Sequence, residues 1–382
     1  MLGLTLAVPA LFWSAFALAL APRRLAPITP TRHAHRLPHL PLHFAPRSWV
    51  AGTRTQALLE LSYPKRSVFY SKVFSVSFPV PSNTNAIVAS WEAKLAADAV
   101  QFAVVDGGAA GDPASLGVAW ILAEASAGSK KGAYKNYVTR EVTYLTKTVP
   151  KTSAGAISHR PPGETAQLWA DNVYMVPPFL AYYGVTAGKT AYITAAYKQI
   201  KLYRDQLRDS SSGLWKHVAL GDWQSNKLWS PGNGWVAAGI VRVIATINHS
   251  EYASSYKSEV AYLEDWAVEV VTAAFAQIRT DDLLPNVFGV KAANTFSDAS
   301  ASALLASAAY RLAFLGVIDS NSDLIATAEK LRAAVEAGVG SDGWLAPVSD
   351  PLSFTTEGSE SPEAEAFVLL MEAAWVDWKG SA

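Results

Sequence analysis

Two acidic residues stand at the starts of predicted helices, in surroundings suited to proton chemistry. Asp171 lies in the densest cluster of the chain, Gln167-Leu168-Trp169-Ala170-Asp171-Asn172-Val173-Tyr174, which continues to Phe179. A carboxyl there can transfer a proton, and the flanking aromatic faces can stack on the apolar C–H side of a sugar ring. Asp112 precedes Pro113, a pair that also reads as a helix cap followed by proline in the first turn. An acid in the first turn, as Asp171 is, is favoured by the helix dipole whatever its role. On pattern alone both residues keep both readings. Of the seven histidines, His33, His35, His39 and His43 fall in one N-terminal stretch, and His249 lies inside the sequon Asn248-His249-Ser250. That leaves His159 beside Arg160 and His217 beside Lys216, two loop sites that would bring positive charge to an anionic ligand. Trp215, Trp223, Trp229 and Trp235 crowd into 21 residues; at least one is expected to stack on a sugar, with Trp169, while the others pack the loop base. Gly232-Asn233-Gly234 either lets backbone approach a ligand or makes a tight turn into a helix.

The elements that must position these residues are helices. From about residue 86 the chain is a series of Ala-rich amphipathic segments broken by Gly, Pro and Ser clusters, with almost no alternating strand pattern. Tyr192, Ala196, Ile200, Tyr203 and Leu207 share one helical face, and Val260, Leu263, Ala267, Val270 and Ala274 do the same. The periodicity predicts ten helices near 86–105, 113–127, 132–149, 169–186, 190–208, 232–249, 254–279, 298–315, 322–338 and 362–378, with one more pair between 50 and 75. Polar clusters mark five starts, at Asp112, Asp171, Asn233, Asp298 and Ser361, at intervals of 59, 62, 65 and 63 residues. Such a period equals two helices and their turns, so the chain repeats as helix hairpins. If the hairpins close into a ring, every second helix is inner and the inner N-termini converge on one rim, a positive end suited to an anion. Ser297-Asp298 and Ser361-Pro362 read as caps.

Composition narrows the function. Half of the 382 residues are hydrophobic, enough for a large core, and 32 basic residues balance 32 acidic ones. No overall field would draw the chain to nucleic acid or an anionic membrane surface. There is no cysteine, which excludes disulfides, thiol nucleophiles and Cys-ligated zinc. Leu2 to Ala21 is almost wholly apolar and ends in small-x-small patterns, which reads as a secretory signal over 1–21 and an extracellular protein. No Lys or Arg precedes the run while Arg23 and Arg24 follow it, so an uncleaved anchor or a mispredicted first exon are the alternatives. Residues 22–50, rich in Pro, Arg and His, are expected to be a disordered linker, and 51–382 a single domain.

Three stretches carry a family resemblance: the Gln167–Phe179 cluster, Gly213-Leu214-Trp215-Lys216-His217, and Leu228-Trp229-Ser230-Pro231-Gly232-Asn233-Gly234-Trp235. Together they resemble glycoside hydrolase family 105, the unsaturated rhamnogalacturonyl hydrolases, and more distantly family 88. The likeness runs from about residue 50 to the C-terminus and is nearest to fungal members, through Asp112 to Gly117, Ser158 to Arg160 and Ser361 to Phe367. The resemblance implies an all-α (α/α)6 toroid that hydrates the 4,5 double bond of an unsaturated uronic acid left by pectin lyases. It implies no metal and no cofactor, with an oligosaccharide as partner and a monomer as the favoured state. Carried onto this chain, the family pattern makes Asp171 the general acid/base and Asp112 the second acid, positioning the sugar or tuning Asp171. His159, Arg160, Trp169, His217, Trp229, Asn233 and Trp235 are the expected substrate contacts. The chain departs from many bacterial relatives at Pro231, where they carry an arginine. The competing readings are a hydrolase of glycosaminoglycan fragments and a catalytically silent carbohydrate-binding toroid.

Overall fold

A computed structural model of the chain describes residues 47–75, 109–125 and 132–381. The expected signal over 1–21, most of the expected linker and the helix expected near 86–105 lie outside these residues. Ten α-helices follow in order: α1 (Ser48–Ser62), α2 (Gly117–Ala125), α3 (Ala133–Thr143), α4 (Asn172–Thr186), α5 (Thr190–Leu207), α6 (Ser230–Asn248), α7 (Lys257–Phe275), α8 (Ala299–Phe314), α9 (Asp323–Ala337) and α10 (Pro362–Ser381). They divide by burial. Residues Ser230 to Ile247 of α6 and Ala299 to Ala313 of α8 are buried without a break, as befits helices enclosed on all sides. By contrast α9 buries only Ile325, Ala328, Leu331 and Val335, one stripe at helical spacing, and α5 behaves likewise.

The inner helices pack in sequence, α4 on α6, α6 on α8, α8 on α10, and α10 returns to α1. The 3-10 turn Asp112–Leu116 that leads into α2 bridges α1 and α4, which closes the ring. Helices α3, α5, α7 and α9 each pack outside an inner helix. The fold is an all-α toroid, as the hairpin period predicts. The helix Ser48–Ser62 falls where a further pair was expected between 50 and 75, but it begins inside the stretch expected as linker, because Ser48 is fully buried and Trp49 packs on the core.

Two features hold the barrel together. Where α4 meets α6, Pro177 deprives the Val173 carbonyl of its intrahelical donor, and Gly239 of α6 sits against that carbonyl. A Cβ on Gly239 would stand 2.3 Å from the Val173 oxygen. Gly239→Ala is expected to wedge the helices apart and cost about 2 kcal/mol, read as a lower urea midpoint with an unchanged slope. At the other end of the inner helices, Glu60 of α1 binds Arg242 of α6 and, at 3.0 Å, Arg311 of α8, while Arg311 also pairs with Asp377 of α10. The Arg311 guanidinium lies 3.9 Å from the Phe69 ring centre, and that of Arg242 lies 4.6 Å from the Tyr174 ring centre. Four helices are thus tied by one buried ionic cluster.

The loops at the helix N-termini contain pairings that no alternating pattern announces. β1 (Gln167–Trp169) pairs with β2 (Val218–Leu220), β3 (Leu228–Trp229) with β5 (Val287–Phe288), β4 (Leu284–Pro285) with β6 (Ser297–Asp298), and β7 (Val348–Asp350) with β8 (Ser353–Gly358), all antiparallel. These ribbons fasten each loop to its neighbour and so fix the rim on which the acids stand.

Candidate active site

The rim surrounds a cleft of about 260 Å³, with Asp112, Asp171, His159, Arg160, Trp169, Trp229, Trp235 and Glu363 in its wall. Expected acids from two separate hairpins therefore meet in one cavity. The choice between cap and functional acid can now be made at each helix start. Asp298 is a cap: its carboxylate accepts from the backbone N–H groups of Ser300 and Ala301 and from the Asn286 amide. Ser361 is one also, its hydroxyl accepting from the Ala364 N–H. Asp171 occupies the same position on α4 yet makes no side-chain cap hydrogen bond. Its Oδ2 lies 3.4 Å from His217 Nε2 instead.

His217 is held for that purpose. Its backbone carbonyl accepts from the Ala170 N–H, which locks the loop beside the start of α4. Its ring packs 4.6 Å from Trp229 and 4.5 Å, edge-on, from Phe354. Burial alone would raise the Asp171 carboxyl, but the close approach of His217, with a smaller contribution from His159, outweighs it and holds the group below the usual carboxylate range. Near neutral pH Asp171 is therefore ionised. His217 is buried behind the carboxyl and does not line the cleft, so it positions Asp171 where direct contact with the ligand was expected.

Three more expectations change. His159 lies 3.8 Å from Asp112 and its Nδ1 is 3.3 Å from the Asn172 amide oxygen. Burial drives its pKa down to about 4 despite the neighbouring Asp171, so near neutral pH it is an uncharged imidazole and not the cation that an anionic ligand would need. Arg160 does line the cleft, but its guanidinium makes two hydrogen bonds to Glu164. Asn233 is fully buried, and its amide is committed to protein: it accepts from the Trp215 N–H and donates to the carbonyls of Trp215 and Trp229. It fastens the His217 loop to α6 and leaves nothing for a substrate. Asn233→Ala should cost about 2 to 3 kcal/mol by orphaning those backbone groups, and Asn233→Asp should not restore it, since a carboxylate lacks the two donors; chemical denaturation of both variants checks this.

The tryptophans divide between the wall of the cleft and the loop base. Trp169, Trp229 and Trp235 line the cleft, whereas Trp215 is fully buried. Trp169 bridges the two histidines, 5.1 Å from His159 and 5.3 Å from His217, and carries the half-exposed Trp223 on its edge. Trp235 is the floor, packed between Tyr174 and Phe367. Sequence reasoning missed Arg47 and Trp49, assigned to the linker, and Glu363, hidden behind the cap reading of Ser361-Pro362; all three line the cleft. An aromatic residue at the very start of the first helix was the available signal for Trp49.

Comparison with known proteins bears on this arrangement directly. The sequence profile of Glycosyl Hydrolase Family 88 matches residues 114–335, more than half of the chain. The chain belongs to glycosyl hydrolase family 88. It is a glycoside hydrolase of the unsaturated glycuronyl class, and the matched residues span three of the five helix starts that set the hairpin period, all but those at Asp112 and Ser361. Curated proteins offer no match. Solved structures share the fold at low identity. A possible member of the GH105 family from Salmonella enterica serovar Paratyphi A superposes with a TM-score of 0.72 at 16% identity, covering 99% of this chain and 100% of that one. The family 105 glycoside hydrolase of C. acetobutylicum gives 0.70 at 14%, over 92% and 99%. The unsaturated glucuronyl hydrolase of Bacillus sp. GL1, responsible for glycosaminoglycan degradation, gives 0.56 at 15%, over 85% and 94%.

Proposed function

We propose that this family 88 hydrolase acts on unsaturated uronic acids at the ends of rhamnogalacturonan fragments, with Asp171 as the acid/base. The observation that carries the substrate reading is the charge of the cleft. Its wall sets the carboxylates of Asp112 and Asp171 against Arg47 and Arg160, and Arg160 is already bound to Glu164, which leaves the cleft short of positive charge. A sulfated glycosaminoglycan fragment brings several negative charges and would meet net repulsion. A single uronate joined to a neutral rhamnose brings one, and its sugar faces suit Trp169, Trp229 and Trp235. The greater structural likeness to the family 105 proteins than to the glucuronyl hydrolase of Bacillus sp. GL1 supports the same choice.

The reaction follows from one carboxyl and a vinyl ether. Asp171 gives a proton to C4 of the double bond, and positive charge develops at C5, stabilised by the ring oxygen. Water adds its oxygen to C5 and returns a proton to Asp171, which restores the acid. The hemiketal so formed opens and releases the remaining sugar. The surroundings of Asp171 favour its ionised form, but a bound uronate adds a like charge and excludes water, and both favour the protonated form. Asp112 acts beside it by like-charge repulsion and by orienting the sugar. The test is loss of the ultraviolet absorbance of the conjugated double bond when the protein meets rhamnogalacturonan lyase products. Decay on glycosaminoglycan lyase products, with none on these, would reject the substrate assignment.

A further inference from the structure

Glu363 is a buried carboxyl that the reaction as written does not use. It stands in the first turn of α10, is 7% exposed and lines the cleft with Asp112 and Asp171. Its Oε2 accepts a hydrogen bond of 2.7 Å from Trp49 Nε1, and that indole is the hydrogen-bond partner found for it among the described residues. No ion pair with Arg or Lys is seen for it there. The charged and titratable groups turned toward it come from every neighbouring helix start: Asp112 before α2, Asp171 at α4, Asp298 at α8, with His159 and Arg160 across the cleft and Arg47 beside Trp49.

Three carboxyls around one cleft repel one another and any anionic sugar that enters; the least compensated is the one that holds a proton. Asp171 faces His217, and Asp112, at the start of its 3-10 turn, is only 3.8 Å from a His159 ring nitrogen. Glu363 has only a neutral indole. Burial first, then the like charges of Asp171, Asp112 and Asp298, push its carboxyl up to about 8, against the lowering effect of the Trp49 hydrogen bond. A carboxylic acid whose one oxygen accepts from Trp49 presents its O–H through the other, toward the cleft.

We propose that Glu363 enters the reaction as a neutral acid and donates a hydrogen bond to the carboxylate of the bound uronic acid. This supplies anion recognition in a cleft where Pro231 offers no charge, His159 is uncharged, Arg160 is tied to Glu164 and Arg47 lies over the Trp49 ring. It also makes uronate binding conditional on that proton. Glu363 is thus a specificity residue, and the inference rests on the uronate reading above.

The test compares Asp171→Asn, which halts turnover, with the double variant Asp171→Asn/Glu363→Gln. Each is titrated calorimetrically with the unsaturated galacturonyl-rhamnose disaccharide at about pH 7 and about pH 9. With Glu363 present, Kd should rise at least about tenfold between the two, because the competent protonated fraction falls by that factor or more once the like charge of Asp171 is gone. With E363Q, whose amide donates at either pH, the rise should disappear. A parallel rise in both proteins, or none in either, overturns the inference while leaving the substrate reading intact. Absence of binding at about pH 7 in the single variant rejects the substrate reading, and the assigned hydrogen bond falls with it.

Unfolding gives a second, ligand-free measure of the proton. A carboxyl whose folded pKa is raised binds more protons folded than unfolded, so its contribution to stability declines as pH rises from its ordinary value through about 8. The unfolding midpoint of E363Q relative to wild type should therefore climb across that window. A gap that does not change with pH shows that Glu363 is ionised throughout, and removes the basis of the proposal.

Discussion

Replacing Asp171 by Asn should lower kcat by about three orders of magnitude, the scale of general acid/base catalysis, while leaving the affinity for the unsaturated disaccharide nearly intact. The amide keeps the shape of the carboxyl beside His217 and the N-terminus of α4, so the change is confined to proton transfer. The comparison matters because Asp171 and Asp298 share the same sequence context, an acid at an inner helix start. Asp298→Asn should behave in the opposite way, since its carboxylate is committed to the Ser300 and Ala301 N–H groups: its effect should appear in stability first. Stopped assays of absorbance loss with Asp171→Asn, alongside calorimetric binding, give the split between kcat and affinity. An Asp171→Asn protein that turns over at a tenth of the wild-type rate would transfer the acid role to another cleft residue.

The largest loss of stability is expected from Glu60→Ala, about 3 to 5 kcal/mol. The carboxylate is 5% exposed and compensates both Arg242 and Arg311. Its removal leaves two guanidinium groups facing each other inside the barrel, with Asp377 able to satisfy only Arg311. The cost arises from the uncompensated charges rather than from a strong pair, so replacing Glu60, Arg242 and Arg311 together by Met should cost less than Glu60→Ala alone. Equilibrium unfolding in urea measures both. Equal losses from the single and triple variants would show that packing, not charge, is what Glu60 contributes.

The hairpin plan was legible because inner and outer helices obey the same 3.6-residue arithmetic. Starts at Asn172, Thr190, Ser230, Lys257, Ala299, Asp323 and Pro362 fall within about three residues of those expected from periodicity. What was hidden depends on partners far away in the chain. The β1–β2 and β3–β5 pairings are two or three residues long, too short for alternation to show. Asn233 sits between two glycines and looks available to a ligand; that its amide faces Trp215 follows from where the preceding loop passes. His159 beside Arg160 suggests positive charge in one dimension, but burial in three dimensions removes the proton. Glu363 reads as an ordinary first-turn acid until Trp49 and Asp112 are brought against it.

The hydrogen bond from Trp49 to Glu363 joins positions 314 residues apart. It forms only where the first described helix meets the last, so the cleft has no complete wall while any hairpin between them is missing. Contacts of this span impose a large loop-closure cost before they repay it. During refolding, helical signal should accumulate hairpin by hairpin, and the ability to hold a sugar should arrive as a separate, later event when the ring shuts. The order of synthesis carries the same consequence: a chain still lacking α10 can own Asp171, His217 and most of the tryptophans and yet present an open groove in place of a pocket.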